Sequence, residues 1–199
     1  MNAIDLLKTH HKEVKEMLEK VVESSGNEGM KLLQEITQNL LAHMVIEQEI
    51  FYPAAAEAKL MAVDEGYEEH VVARVMMIRG MQSKGDKTLF QARCKVLKEL
   101  IEHHVEEEEE EMFPSVQKAL GEEKLDALGA KMEPRFEELK GMSLPALSRR
   151  AEEVEVLSEA KTGGSTRKPI ATKRKPAARA KKKTVARATR KLAAKRKRA

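Results

Sequence analysis

The sequence predicts an all-α protein, an up-down-up-down four-helix bundle followed by short extra helices and a disordered basic tail. Aromatic residues make up only 3% of the 199 residues and Trp is absent, which is more typical of helices than of sheets. Apolar residues, 41% of the chain, recur at the three- and four-residue spacing that gives a helix one apolar face. Such faces must pack together, so long helices joined by short loops favour a bundle.

Each of the first two helices is marked by an apolar stripe. One stripe runs from Ile4 to Val21, and the second runs from about Met30 to Ile50. The Ser, Gly and Asn residues at 24–29 are expected to separate them, because these residue types favour turns. Pro53 is expected to kink or end the second helix, since proline lacks the backbone N–H that a helix interior requires.

The third and fourth helices are predicted at 64–81 and 88–120, where further apolar patterns occur. The four helices together define a predicted domain over residues 1–120. Two shorter helical patterns within residues 121–160 are expected to cap the bundle, form a partner surface or act as a spacer. Residues 161–199 are the predicted disordered tail, because their few large apolar side chains cannot form a core.

An internal repeat relates the second helix to the fourth. Leu40–Pro53 reads LLAHMVIEQEIFYP and Ile101–Pro114 reads IEHHVEEEEEEMFP, and the two segments align without gaps. Each contains a His, a Glu four residues later and a Pro six residues beyond that Glu. Residues four apart lie on the same face of a helix, about one turn apart, so the His and Glu of each repeat can reach one cation.

One His from each predicted helix and one Glu from each repeat form the candidate ligand set: His11, His43, Glu47, His70, His104 and Glu108. This mixture of nitrogen and oxygen donors suits iron, manganese or zinc, and two such pairs on facing helices could make a two-metal site. A single His and Glu at this spacing is often an ordinary hydrogen-bonded pair, so the metal interpretation depends on the two copies. His10 and His103 point about 100° away from their neighbours and are expected to meet solvent. The other glutamates of the 106–111 run are interpreted as a solvated face.

These residues resemble the hemerythrin-like HHE cation-binding domain family. The motifs are HKEV at His11, HMVIEQEIFYP at His43, EEH at His70 and HHVEEEEEEMFP at His104, and they cover about residues 1–120. The resemblance implies two non-haem iron ions joined by an oxo or hydroxo bridge. It also implies that the two glutamates bridge the ions and that the four histidines are terminal ligands.

One position departs from the oxygen-carrying hemerythrins. Those proteins have a fifth histidine four residues after the one that His70 resembles, and Arg74 stands here instead. A guanidinium has no free lone pair at neutral pH and cannot coordinate a metal. Reversible oxygen carriage is therefore not expected, and one iron should be more open to water, dioxygen, peroxide or nitric oxide.

The charge is divided sharply along the chain. Residues 161–199 hold 17 of the 37 Lys and Arg and no acidic residue, so the preceding part holds 20 bases against 33 acids and carries −13. The tail resembles the Lys- and Ala-rich tails of linker histones, which neutralise phosphates without reading bases. We predict that it binds duplex DNA without sequence specificity, through Lys173, Arg174, Lys175, Arg179, Lys181, Lys182, Lys183, Arg187, Arg190, Lys191, Lys195, Arg196, Lys197 and Arg198. RNA, polyphosphate, an anionic membrane and the acidic body of the same chain are the rival partners.

The leading functional hypothesis is a non-enzymatic di-iron protein that senses or buffers oxygen, oxidants or iron and is tethered to DNA. The alternatives are a di-iron enzyme that turns over peroxide or nitric oxide, and a structural protein that compacts DNA. A single cysteine, Cys94, and the lack of a long apolar run predict a cytoplasmic protein, associated with the nucleoid in a bacterium. The sequence leaves the oligomeric state open.

Overall fold

The computed structural model describes residues 1–57, 62–83 and 85–162. In these ranges every regular element is helical, which confirms the predicted all-α fold. The helices are α1 (Ala3–Glu23), α2 (Gly26–Ile46), α3 (Tyr52–Glu57), α4 (Ala62–Met81), α5 (Lys87–Glu107), α6 (Phe113–Leu120), α7 (Glu122–Lys140) and α8 (Leu144–Thr162). Helices α1, α2, α4 and α5 form the up-down-up-down bundle, and none of the described helices is long and apolar enough to cross a membrane.

Helix α1 is fixed at its start by a side-chain cap and along its length by its apolar stripe. The Asn2 side chain accepts a hydrogen bond from the backbone N–H of Asp5 at 2.9 Å, which satisfies one of the four unpaired donors of the first turn. Leu7, Val14 and Leu18 are buried in the core, as their three- and four-residue spacing predicts. The stripe therefore sets which face of α1, and hence which histidine, turns toward the other helices.

The break between α1 and α2 is shorter than the sequence indicated. Helix α2 begins at Gly26, so part of the expected 24–29 turn is helical. Gly29 lies inside α2 against Phe90 of α5, and an added Cβ there would be 3.0 Å from the Phe90 ring. This glycine therefore permits close packing of two helices and does not interrupt α2.

Two π-helical turns interrupt the long helices at equivalent places in the repeat. They span Glu47–Phe51 between α2 and α3, and Glu108–Met112 between α5 and α6. A proline follows each turn, Pro53 in one and Pro114 in the other. A proline ring clashes with the carbonyl four residues earlier in a regular α-helix, and the wider turn relieves that clash. The chain consequently stays helical through Pro53, which bends the path without ending the helix.

Two further helices follow the bundle, as the sequence predicted, and each is 19 residues long. Helix α7 packs on α1, α2 and α6, and α8 packs on α2, so both cover one side of the bundle. Both also contact the first π turn. Residues 163–199, which include every basic residue predicted to bind nucleic acid, lie outside the described residues, and that prediction stays open.

Candidate metal centre

All six residues predicted as ligands meet in the interior of the bundle. Each is at most 6% exposed, and they come from α1, α2, α4, α5 and the two π turns: His11, His43, His70, His104, Glu47 and Glu108. Both glutamates are the first residue of their π turn. The four helices therefore contribute one imidazole each, and the repeat contributes two carboxylates.

His11 and His43 form the first half of the centre. Their Nε2 atoms are 3.2 Å apart. The Nε2 of His43 lies 3.1 Å from Oε1 of Glu47, and the Nε2 of His11 lies 3.2 Å from Oε2 of Glu108. Two imidazoles and two carboxylates thus converge on one point.

His70 and His104 form the second half. Their Nε2 atoms are 3.1 Å apart, and the Nε2 of His70 lies 3.3 Å from Oε2 of Glu47. Oε2 of Glu108 is 3.7 Å from the Nε2 of His104. Glu47 therefore directs one oxygen to each half, which is the geometry of a carboxylate that bridges two cations.

The donors of this centre lack the partners that buried polar groups normally have. Neither oxygen of Glu47 accepts a hydrogen bond, nor does Oε2 of Glu108, although all three are buried. Burying an unpaired carboxylate is costly unless a cation or hydrogen bond compensates. The converging donor atoms form two groups, each lying within 4.8 Å: one is His11, His43, Glu47 and Glu108, and the other is Glu47, His70 and His104. The residues therefore fit two cations of the transition-metal class.

The protonation of Glu47 and His70 agrees with metal binding, whereas His104 holds a proton. Burial alone would raise the pKa of Glu47, but His43 and His70 hold it well below its usual range, so the carboxylate is anionic. Burial lowers the pKa of His70, which favours the neutral imidazole that coordinates metals. Burial opposes a charge on His104, but Glu108 and Glu69 outweigh it and raise its pKa to about 9. A cation that binds His104 must therefore displace a proton.

Two of the ligand imidazoles are held from outside by carboxylates. Nδ1 of His11 is 2.8 Å from Oε1 of Glu109, and Nδ1 of His104 is 2.7 Å from Oε2 of Glu69. When Nδ1 donates its hydrogen outward, Nε2 is left to face the centre, an arrangement that orients metal-binding histidines in proteins. The interpretation of the whole 106–111 run, apart from Glu108, as a solvated face is therefore wrong for Glu109.

His10 and His103, which precede two of the proposed ligands in the chain, differ in their exposure. His103 is exposed, as expected. His10 is half-buried and was wrongly expected to meet solvent: its ring stacks on Phe136 of α7 at a centroid distance of 3.8 Å. Nδ1 of His10 also lies 3.4 Å from Nδ1 of His43. Burial and the nearby His43 lower the pKa of His10 to about 3, so it is neutral.

Tyr52 is a member of the centre that the sequence interpretation missed. Its hydroxyl donates to Oε1 of Glu108 at 2.9 Å and lies 3.3 Å from Nε2 of His70. Burial and Glu108 raise its pKa well above its usual range, so the hydroxyl keeps its proton. Gly66 of α4 makes room for it, because a Cβ at that position would lie 2.7 Å from the hydroxyl oxygen. The internal repeat could have drawn attention to this residue, since Tyr52 stands where the second copy has Phe113.

Arg74 does not enter the centre. Its Nε and Nη2 donate to Glu155 at 2.8 and 2.7 Å, and its Nη1 donates to Glu152 at 3.0 Å. Both acceptors belong to α8, so the residue in the place of a fifth histidine attaches the last described helix to the bundle. It coordinates nothing, in agreement with the chemistry of the guanidinium group.

Comparison with known proteins agrees with this structure. The family described as the hemerythrin HHE cation binding domain matches residues 2–116. The uncharacterized proteins Rv2633c of Mycobacterium tuberculosis and Mb2666c of Mycobacterium bovis are each 30% identical to this chain over 151 residues, which are 74% of this chain and 92% of theirs.

A solved structure is also similar to this chain. It is the crystal structure of a hemerythrin HHE cation binding domain-containing protein of Mycobacterium kansasii, a homolog of Rv2633c, with a TM-score of 0.66 and 26% identity. The match covers 79% of this chain and 99% of that one. With its buried His and Glu clusters, the chain has a metal-binding domain and belongs to the hemerythrin HHE cation-binding family.

Proposed function

We propose that the two halves of the centre hold two non-haem iron ions, and that the protein senses or buffers oxygen, oxidants or iron. The observation that carries this proposal is the position of Glu47, whose two oxygens face different halves at 3.1 and 3.3 Å from His43 and His70. Mixed imidazole and carboxylate donors on the facing helices of a bundle are typical of di-iron proteins. Bound iron would supply redox chemistry and a coordination position for dioxygen, peroxide or nitric oxide.

The protein residues supply binding, orientation and a proton. His11, His43, His70 and His104 would act as terminal ligands, with Glu47 and Glu108 between the ions. Glu109 and Glu69 hold two of the imidazoles in the orientation that directs Nε2 inward. The surrounding core of apolar side chains excludes bulk water, which strengthens each charged interaction in the centre.

The test is iron content together with an optical spectrum, on full-length protein purified without added metal. We expect two irons per chain and a charge-transfer absorption, both strongly reduced in His43→Ala. The matched control is Gln34→Ala, because Gln34 is an exposed polar residue of the same helix as His43. Protein without iron, or iron content that His43→Ala leaves unchanged, would contradict the di-iron proposal.

Tyr52 favours a second candidate function, an enzyme that turns over peroxide or nitric oxide. Its hydroxyl carries a proton 3.3 Å from Nε2 of a proposed ligand, His70, in a buried environment. Such a group can deliver a proton to a reacting molecule. Turnover of peroxide that is lost in Tyr52→Phe while iron content is kept would favour the enzyme. A parent protein without turnover would leave the sensing or buffering function.

We propose that residues 161–199 bind duplex DNA by neutralising phosphates. The protein would then be cytoplasmic, with its metal domain kept on the nucleoid. The support is compositional: 17 basic residues and no acidic one. When binding releases counterions, the logarithm of the association constant falls linearly with the logarithm of the salt concentration, with a slope of about −0.9 per neutralised phosphate. We expect this steep dependence in the full chain and its loss in a variant that stops at residue 160. Weak binding with a flat salt response would contradict the proposal.

A further inference from the structure

A groove lined by carboxylates lies over the second half of the centre. It runs between α4 and the end of α5 with its π turn, and it encloses a cavity of about 50 Å³. Besides Glu108, four glutamates line it, and we call it the acidic groove: Glu65, Glu69, Glu107 and Glu111. This volume is several times the roughly 10–15 Å³ that one water requires, so small hydrated species fit.

The floor of the acidic groove is formed by two proposed ligands of the centre. His104 and Glu108 both line the cavity, and both are at least nine-tenths buried. Oε2 of Glu108 accepts no hydrogen bond. Two imidazoles lie near this oxygen, Nε2 of His11 at 3.2 Å and Nε2 of His104 at 3.7 Å, so a cation at the bottom of the acidic cavity would be favoured over an anion and would be shared with them.

The rim of the groove carries a second set of metal-binding side chains. Glu69, His103 and Glu107 each offer an atom within 4.8 Å of the others, and their side chains are 24%, 61% and 37% exposed. Water competes with such exposed ligands, so a cation would bind weakly and leave readily. Glu69 also contacts Nδ1 of His104 at 2.7 Å and therefore joins the rim to the centre.

Two other cavities near the centre are poor paths for a cation. The one beside His10 and His43 measures about 10 Å³, which is at the lower limit for a single water. The one outside Glu109 is larger, about 310 Å³, but its lining has no net charge to attract cations, because three lysines of α1 stand beside three glutamates: Lys8, Lys12, Lys15, Glu16, Glu19 and Glu109. The acidic groove combines sufficient space with the favourable charge.

We propose that the acidic groove is the route by which a divalent cation reaches the second half of the centre, with Glu69, His103 and Glu107 as the first stopping place. The inference rests on the proposed metal-binding function and adds the path of loading. Clefts lined by one sign of charge raise the local concentration of opposite ions and accelerate association by about 10 to 1,000-fold. The glutamates of the acidic groove therefore control how fast iron fills the centre, while the buried ligands control how tightly the centre holds it.

The experiment measures the rate of iron loading. Full-length protein stripped of metal is mixed with ferrous iron without oxygen at low salt, and unbound iron is captured by a chelator at timed intervals. The test variant is Glu65→Gln with Glu111→Gln, which removes two charges from exposed positions of the groove and leaves every proposed ligand intact. The matched control is Glu122→Gln with Glu123→Gln, an equal change at exposed positions at the start of α7.

We expect the groove variant to load about ten-fold more slowly than the parent, with the same final iron content, and the control to load at the parent rate. Added salt should slow the parent more than the groove variant, because screening removes the attraction. Equal rates for parent and groove variant would overturn the proposed route, as would a lower final iron content, which would make these glutamates part of the holding site. A parent that never takes up iron is a separate result and would overturn the proposed function as well.

Discussion

The two halves of the centre lie side by side in the interior of the bundle and are built from equivalent residues. The repeat places His104 in the second half where His43 stands in the first, and His70 of α4 takes the part of His11 of α1. The Nε2 atoms are 3.2 Å apart in the first half and 3.1 Å apart in the second. The inner ligands are therefore almost equivalent, as expected for two copies of one helical unit.

The outer contacts are where the halves differ. The residue before the α1 ligand is His10, whose Nδ1 lies 3.4 Å from an imidazole of the first half, while the corresponding residue of α4 is Glu69, at 2.7 Å from His104. Phe113 stacks on the ring of His11, and Tyr52 stacks on the ring of His70 and adds a hydroxyl. Equivalent backbones thus give a first half with a phenyl ring and a neutral histidine around it, and a second half with a phenol hydroxyl and Glu69 below the acidic groove. The repeat therefore determines where the ligand atoms lie, whereas single differences among the surrounding residues determine the chemistry of each half.

Removing one of the two carboxylates proposed to bridge the irons should have the largest effect on the two halves. Glu47 belongs to both groups of donors, whereas Glu108 belongs to the first group only. We expect Glu47→Ala to abolish binding of both irons, and Glu108→Ala to leave iron on Glu47, His70 and His104 at lower affinity. Iron content and titration of metal-free protein provide the measurement. If Glu108→Ala loses as much iron as Glu47→Ala, the two halves depend on both bridges equally.

The outer carboxylate of the second half should have the next largest effect. Glu69→Gln keeps the size of the side chain but weakens the charge-assisted hydrogen bond to His104, and such outer contacts change metal affinity by about 10 to 100-fold. His10→Ala in the first half should cost less, because its contact with His43 is 3.4 Å and uncharged. Competition with a chelator measures both affinities, with the exposed Glu68→Gln as the control. A larger loss in His10→Ala would reverse the assignment of the stronger outer contact.

The hydroxyl of Tyr52 distinguishes the halves by a single atom. Tyr52→Phe makes the second half resemble the first, and it leaves Oε1 of Glu108 buried without its donor, at a cost of about 1–2 kcal/mol. Chemical unfolding of the metal-free protein measures this cost. Gly66→Ala should destabilise at least as much, because the new Cβ displaces the hydroxyl. If only Gly66→Ala destabilises the protein, the contact is steric and the hydrogen bond contributes nothing.

Much of the fold and of the inner centre could be predicted from the sequence. Apolar spacing determines helix faces, and those faces decide that His11 turns inward beside Leu7 and Val14. The two HxxxE pairs could be found because residues four apart lie on the same face of a helix. The family match and the structure bear out the helical bundle and a metal-binding domain, while iron itself and the tail partner stay predictions.

The outer contacts could not be predicted because they join residues that are distant in the chain. Glu109 reaches His11 across 98 residues, and no local pattern separates it from the glutamates on either side of it. Tyr52 owes its position to a π turn, which adds one residue to the helical turn and rotates everything that follows. The sequence predicted a disturbance at Pro53 but gave no means of choosing a π turn over a kink.

The smallest expected effect concerns the first π turn, which both C-terminal helices contact. Glu49 accepts hydrogen bonds from Arg135 of α7 at 2.9 and 3.1 Å and from Arg150 of α8 at 2.8 and 2.6 Å. The equivalent residue of the second π turn, Glu110, is exposed. We expect Glu49→Gln to reduce the free energy of unfolding by about 1 kcal/mol, since both arginines are partly solvated, and Glu110→Gln to leave it unchanged.

The contribution of Glu49 to the free energy of unfolding should depend on pH. Burial would raise the pKa of Glu49, but the two arginines outweigh burial and hold it below the usual 4.5. A carboxylate with a lowered pKa stabilises the folded state above its unfolded pKa and loses that contribution as pH falls through the folded one. The difference in unfolding free energy between parent and Glu49→Gln should therefore be full at neutral pH and shrink on acidification below pH 4.5. A difference that stays constant into acid, or one that Glu110→Gln reproduces, would assign the effect to packing and not to the charge that joins α7 and α8 to the π turn of Glu47.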